Sequence, residues 1–158
     1  MTTKPLEIVK DQIGYCGIWC GSCAVGNGAL RELTRRFEET TRVYGLKEWV
    51  SKDFDYYEFS KGLTSIQHLS FCPGCMKGGG RERCEIRICA SKKGLHNCTA
   101  CDEQVDCKHS MTLEKMRSGA LAAGLFVKSD QDDRHQLIEK WMAELVSKWP
   151  SCILFMNE

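Results

Sequence analysis

Residues 72–107 read CPGCMKGGGRERCEIRICASKKGLHNCTACDEQVDC, and this stretch decides how the rest of the chain is read. It sets Cys72, Cys75, Cys84, Cys89, Cys98, Cys101 and Cys107 among charges and glycines, with few large apolar side chains. A segment so poor in apolar surface cannot close a core by itself, so bonds to sulfur are left to order it. In Cys72-Pro73-Gly74-Cys75, proline sets the first turn dihedral and glycine permits a positive φ, which lets two sulfurs and nearby backbone N–H groups face one ion. Cys98-Thr99-Ala100-Cys101 repeats the spacing, and two C-x2-C pairs make a four-thiolate tetrahedral zinc site the first reading. Two partitions fit. Cys72 and Cys75 could join Cys98 and Cys101 in a ribbon-like site, with Cys84, Cys89 and Cys107 then needing a fourth ligand. Alternatively Cys72, Cys75, Cys84 and Cys89 form a local site, and Cys98, Cys101 and Cys107 recruit a cysteine from the N-terminal block. Thiols that merely pack in the core are the plain alternative.

That N-terminal block is Cys16-Gly17-Ile18-Trp19-Cys20-Gly21-Ser22-Cys23. Its C-x3-C-x2-C spacing is that of the radical-SAM cluster motif, but that chemistry needs a partial α/β barrel, and the chain offers neither the length nor the alternating strands. Thiolates suit both zinc and iron–sulfur clusters. The reading preferred here makes Cys16, Cys20 and Cys23 zinc ligands that pin the N-terminal segment to the middle, with a cluster as the alternative cofactor. Cys152, beside Ile153 and Leu154, reads as a buried thiol.

In order, Tyr15 to Cys23, Cys72 to Cys75, Cys84-Glu85-Ile86-Arg87-Ile88-Cys89-Ala90 and Lys93 to Cys101 resemble a family of prokaryotic cysteine-rich proteins catalogued as a domain of unknown function and held to bind zinc. The resemblance covers roughly residues 13 to 110. Val105-Asp106-Cys107 departs from the Phe-Pro-Cys common in that family. The resemblance implies metal binding and a prokaryotic cytosolic setting, and it implies no reaction.

The chain has 158 residues, the size of one domain able to bury a core. Eleven cysteines suggest disulfides only in an oxidising compartment. The N-terminal residues lack the apolar stretch of a secretory signal, so the expectation is a cytoplasmic protein with reduced, metal-ligating thiols. The formal charge of +1 gives no global attraction to nucleic acid or anionic membrane. Two four-thiolate zinc sites would take it to about −3. The longest uncharged apolar run, Ala120 to Val127, is far short of the roughly 20 residues of a membrane helix.

The flanks read as helices. Ala29, Leu30, Leu33, Phe37, Thr40 and Tyr44 recur at spacings of three and four, with Arg31, Glu32, Arg35, Arg36, Glu38 and Glu39 toward water and Gly45 as the stop. A second helix is expected from Leu46 through Trp49, Val50, Phe54 and Tyr57, and a shorter one carrying Leu63, Ile66 and Leu69. Met111 to Leu121 begins another, weakened or ended by Gly119 and Gly124. Ser129, Asp130, Asp132 and Asp133 signal the start of a last helix. Its core stripe is Leu137, Ile138, Trp141, Met142, Leu145, Val146 and Trp149, and Pro150 ends it. No β-alternation is evident. The expected architecture is therefore mainly α: one domain over 1–158, a small helical body packed on an irregular metal-binding segment within 13–110, with residues 111–158 as its C-terminal helical part.

Other candidates are weaker. Lys77, Arg81, Arg83, Arg87, Lys92 and Lys93 surround Gly78 to Gly80 and could contact nucleic acid through the segment Lys77 to Lys93. The preferred reading is that they offset nearby thiolates. His68, His96 and His109 are candidate fourth ligands, each more plausibly a surface or hydrogen-bonded histidine. No serine–histidine–acid group, carboxylate pair or phosphate loop stands out. The functional expectation is a zinc-binding adaptor or binding module with a protein partner. An iron–sulfur redox protein and an enzyme with an open metal–thiolate centre are the alternatives.

Overall fold

The computed structural model describes residues 4–130 and 132–148. The expectations for Trp149, Pro150 and Cys152 lie outside these residues. Helix α1, Pro5–Val9, starts on a proline, whose missing N–H costs nothing in a first turn, and buries Leu6 and Val9. The chain then reverses through two isolated bridges, Ile13 with Trp19 and Ile18 with Val127. Among the described residues these are the β-pairings, and no strand forms; the fold is mainly α.

Helix α2, Ala29–Val43, begins where Asn27 Oδ1 accepts from the Ala29 N–H. It ends at Tyr44, and Gly45 follows at φ +64, as its sequence suggests. The buried face differs from the expected one. Thr34 and Thr41 are buried, whereas Leu33 and Phe37 stay 37% and 52% exposed. The reason is the partner helix. Arg31 donates to the Gln67 carbonyl and lies 4.2 Å above the Phe71 ring, and Gln67 Nε2 donates to Glu38, so polar groups hold the contact. Phe37 meets Phe59 edge-on at its margin.

The helix expected from Leu46 to Tyr57 is broken. Helix α3, Leu46–Trp49, stops at an extended Val50. Helix α4, Tyr56–Gln67, starts afresh because the Asp55 carboxylate accepts from the Glu58 N–H. The middle segment is less irregular than expected, since helix α5, Glu85–Lys92, runs through it and buries Ile86 and Ala90. Helix α6, Ser110–Ala122, continues through Gly119, and Gly124 at φ +80 follows its end. Helix α7, Arg134–Lys148, is preceded by Asp133, whose carboxylate accepts from the Gln136 N–H.

Ile138, Trp141 and Leu145 of α7 form the main core with Ile13, Trp19, Ala29 and Phe126. Trp19 is fully buried, stacks on Trp141 at 5.9 Å, and donates its ring N–H to the Lys10 carbonyl at 2.6 Å. Trp19, next to Cys20, thus fastens the N-terminal thiols to α7. A second cluster, Cys16, Cys84 and Ile86 with Leu113 and Met116 packed against it, links the thiol region to α6.

Candidate metal centre

Backbone turns carry the cysteines to their places. The reversal at 14–18 depends on Gly17 at φ +95, where an added Cβ would lie 2.2 Å from the Lys128 carbonyl oxygen. Cys20 opens a 3-10 turn, and its N–H donates to the Gln12 carbonyl at 2.8 Å. Gln12, itself buried, donates from Nε2 to the carbonyls of Ile8 and Pro73, both at 2.9 Å. The Cys72–Cys75 turn is thereby seated beside Cys20. Gly79 closes the turn from above by donating to the Gly74 carbonyl at 2.9 Å. Arg87 holds this loop by donating to the carbonyls of Gly79, Arg81 and Glu82.

Cys16, Cys20, Cys72 and Cys75 consequently share one neighbourhood. Burial pushes the Cys20 thiol up to about 11, opposed by the Cys75 N–H that faces its sulfur and reinforced by the thiols of Cys75, Cys72 and Cys16. Burial also raises Cys16. The Ile18 N–H opposes that shift, and Cys75 and Cys84 add to it. Cys84 lies on the flank, buried against Cys16 and Ile86 at the start of α5. Cys23 follows the 3-10 turn, and its carbonyl accepts from the Asn27 N–H.

A second neighbourhood adjoins the first. The Cys98 N–H donates to the Tyr15 carbonyl at 2.8 Å, and Asn97 Nδ2 donates to the Gly14 carbonyl at 3.1 Å. Asn97 Oδ1 accepts from the Thr99 N–H and starts the 3-10 turn Cys98–Ala100. Cys98, Cys101, Cys107 and Cys89 of α5 line one largely apolar cavity of about 420 Å³. Two cations stand at its wall. Lys93 Nζ lies 3.8 Å from Cys101 Sγ and 2.6 Å from Glu103. Arg117 donates from Nε to the Cys16 carbonyl at 2.8 Å, and its Nη2 is buried with no hydrogen-bond partner. Burial takes the Cys98 thiol to about 11, against the lowering effect of Arg117 and with the thiols of Cys16, Cys101 and Cys107 raising it.

The first neighbourhood matches neither partition drawn from spacing, whereas Cys98, which meets Cys101 and Cys107, also lies against Cys16 of the N-terminal block, as the second partition expects. Cys72 and Cys75 sit with Cys16 and Cys20, while Cys98 and Cys101 sit with Cys89 and Cys107. Among the described residues all ten cysteines are free thiols. No three Cys, His, Asp or Glu donors among them are close enough together to hold a metal ion. The donor chemistry nevertheless suits a soft cation: backbone N–H groups in one neighbourhood and Arg117 in the other partly offset the burial that raises Cys16, Cys20 and Cys98, and Lys93 stands beside Cys101. Binding an ion would require the sulfurs to draw together.

Of the histidines, His68 bonds the Thr64 carbonyl on α4 and His96 is exposed. His109 lines the same cavity as the four cysteines and lies 3.4 Å from Glu85. In the basic segment, Arg87 is turned onto backbone carbonyls and Lys93 onto Cys101 and Glu103. Sequence reasoning missed Gln12 and Arg117 as residues that place or flank the thiols, whereas Lys93 is among the cations expected to offset them. Asn97 was findable, because an asparagine just before a Cys-x-x-Cys turn is a ready cap.

No helix among the described residues is long and apolar enough to cross a membrane. No curated protein and no solved structure matches the chain. The model of one family, described as a protein of unknown function (DUF3795), matches residues 12–112, the span that contains both thiol neighbourhoods. By that match, over more than half its length, the chain belongs to the DUF3795 family.

Proposed function

We propose that this chain is a zinc-binding protein whose clustered thiolates hold structural metal, and that it serves as a binding or adaptor module in a prokaryotic cytoplasm. The observation that carries the metal reading is the meeting of Cys16 and Cys20 with Cys72 and Cys75, some fifty residues away in the chain. N–H groups of Ile18 and Cys75 face two of these sulfurs. Four free thiols held together in this way repel one another once ionised, and a divalent ion of tetrahedral preference removes that repulsion. Zinc bound there would supply folding free energy on the order of 10 kcal/mol to a segment poor in apolar contacts.

The adaptor reading draws on exposed side chains outside the thiol region. Val43, Tyr44, Trp49 and Tyr57 on α2 to α4 are 72%, 76%, 82% and 73% exposed. Aromatic side chains left in water at such a density are characteristic of surfaces that meet another protein.

Elemental analysis of protein purified without air tests the metal reading. About two equivalents of zinc in a colourless sample are expected, one of them lost in Cys72→Ser/Cys75→Ser protein. A metal-free protein with thiols oxidised in pairs, or a brown one absorbing at about 400 nm, overturns it.

A further inference from the structure

Cys98 and Cys101 are placed to bond to each other. The Cys101 N–H donates to the Cys98 carbonyl at 3.2 Å and closes the 3-10 turn that Asn97 caps. Side chains three apart in such a turn eclipse one another, and its end Cα atoms come within about 7 Å. A disulfide needs roughly 4.4–6.8 Å between Cα atoms, so one can form here with little movement of the backbone. Cys20 and Cys23 end a turn of the same form, closed at 3.1 Å. Charge and space set the Cys98–Cys101 pair apart. Lys93 Nζ stands 3.8 Å from Cys101 Sγ, and a neighbouring cation favours the sulfur anion on which thiol exchange depends. Both cysteines are half-buried and line the cavity of about 420 Å³, inside the roughly 300–1,000 Å³ span of small-molecule sites. Lys93 and Arg117 stand on that lining against Glu114, while His109 faces Glu85. Glu103, the partner of Lys93, is 73% exposed to water.

We propose that Cys98 and Cys101 form a thiol–disulfide exchange site for small carboxylate-bearing disulfides, with Cys101 as the attacking sulfur and Cys98 as the resolving one. The Cys101 sulfur bonds one sulfur of the entering disulfide, whose S–S bond breaks, and the displaced half leaves as a thiol with the Cys101 proton. Cys98 then bonds the Cys101 sulfur, and the second half leaves with the Cys98 proton. Two protein thiols are oxidised and one small disulfide is reduced to two thiols. An excess of small thiol runs both steps backwards, as a transient disulfide in a reducing compartment requires. The proposal goes beyond the zinc reading. Sulfurs bonded to each other hold no ion, so exchange and metal compete for this pair.

The test treats the full chain, purified without air, with a dianionic or a dicationic small disulfide of similar size at low ionic strength, and maps the products by mass spectrometry of peptides. The first protein disulfide is expected between Cys98 and Cys101, reversed by excess dithiol. Cys98→Ser should trap a mixed disulfide on Cys101. The dianionic reagent should outpace the dicationic one by about threefold or more. Lys93→Gln, which retains every thiol, should slow the dianionic reaction by a similar factor. A first disulfide between other cysteines, a mixed disulfide that gathers elsewhere in Cys98→Ser protein, or a rate indifferent to reagent charge and to Lys93→Gln overturns the proposal. Zinc content, measured before treatment, tests the zinc reading separately, so either can fail while the other stands.

Discussion

Gly17 shows how much a single residue decides. Its φ of +95 lies where side chains are strained, and its N–H and carbonyl bond Gly14 and Lys128 at once. A methyl there would meet the Lys128 carbonyl at 2.2 Å, and backbone cannot swing aside as a flexible side chain does. Gly17→Ala is expected to destabilise the protein by about 2–4 kcal/mol, read as a fall in the urea midpoint. A change below about 0.5 kcal/mol would mean that the reversal at 14–18 does not hold the N-terminal thiols. At this scale the sequence reading was uneven. The turn at Cys72–Cys75 could be read because proline and glycine announce it. Gln12 could not, because a glutamine between Asp11 and Ile13 gives no sign that the fold will bury it under Pro73.

At the scale of the helix, caps and ion pairs set what periodicity leaves open. The apolar stripe of α7 was legible because Ile138, Trp141 and Leu145 face the core at regular spacing. The break between α3 and α4 was not. Phe54 and Tyr57 continue the apolar spacing, yet Asp55 captures the Glu58 N–H and restarts the helix. Asp55→Ala should therefore cost about 1 kcal/mol, seen as a lower thermal midpoint, and Asp55→Asn should recover most of it. On α2, Arg35 and Arg36 hold the Glu32 carboxyl down to about 2. A carboxyl with a depressed folded pKa contributes stability above its unfolded pKa of 4.5, and loses it as the pH falls toward 2. The pair lies near the surface, so its contribution is at most about 1 kcal/mol. Glu32→Gln should thus be less stable than the parent at pH 7 and nearly equal to it at about pH 2, by denaturation at each pH.

Across the whole molecule, two kinds of force divide the work. The core around Trp19, Phe126, Trp141 and Leu145 is apolar burial. Residues 72–107 contribute few apolar contacts: Ile86 and Ala90 are buried, but Ile88 and Val105 are 48% and 94% exposed. What joins this segment to the core is a few hydrogen bonds, from the Cys98 N–H to the Tyr15 carbonyl, from Asn97 Nδ2 to the Gly14 carbonyl and from Gln12 Nε2 to the Pro73 carbonyl. Such bonds contribute about 1 kcal/mol each, too little to order some thirty-five residues against their conformational entropy. If zinc orders this segment as proposed, its removal should melt one part and spare the other. With a strong chelator under reducing conditions, amide exchange across 72–107 should accelerate by a hundredfold or more, about 3 kcal/mol of lost protection. The Trp19–Trp141 core and the amides of α7 should keep theirs. If protection vanished everywhere together, the thiol region and the helical body would form a single cooperative unit, and the apolar core would depend on the ion as much as the segment does. If protection across 72–107 did not change, the forces ordering that segment would have to be sought outside its sulfurs.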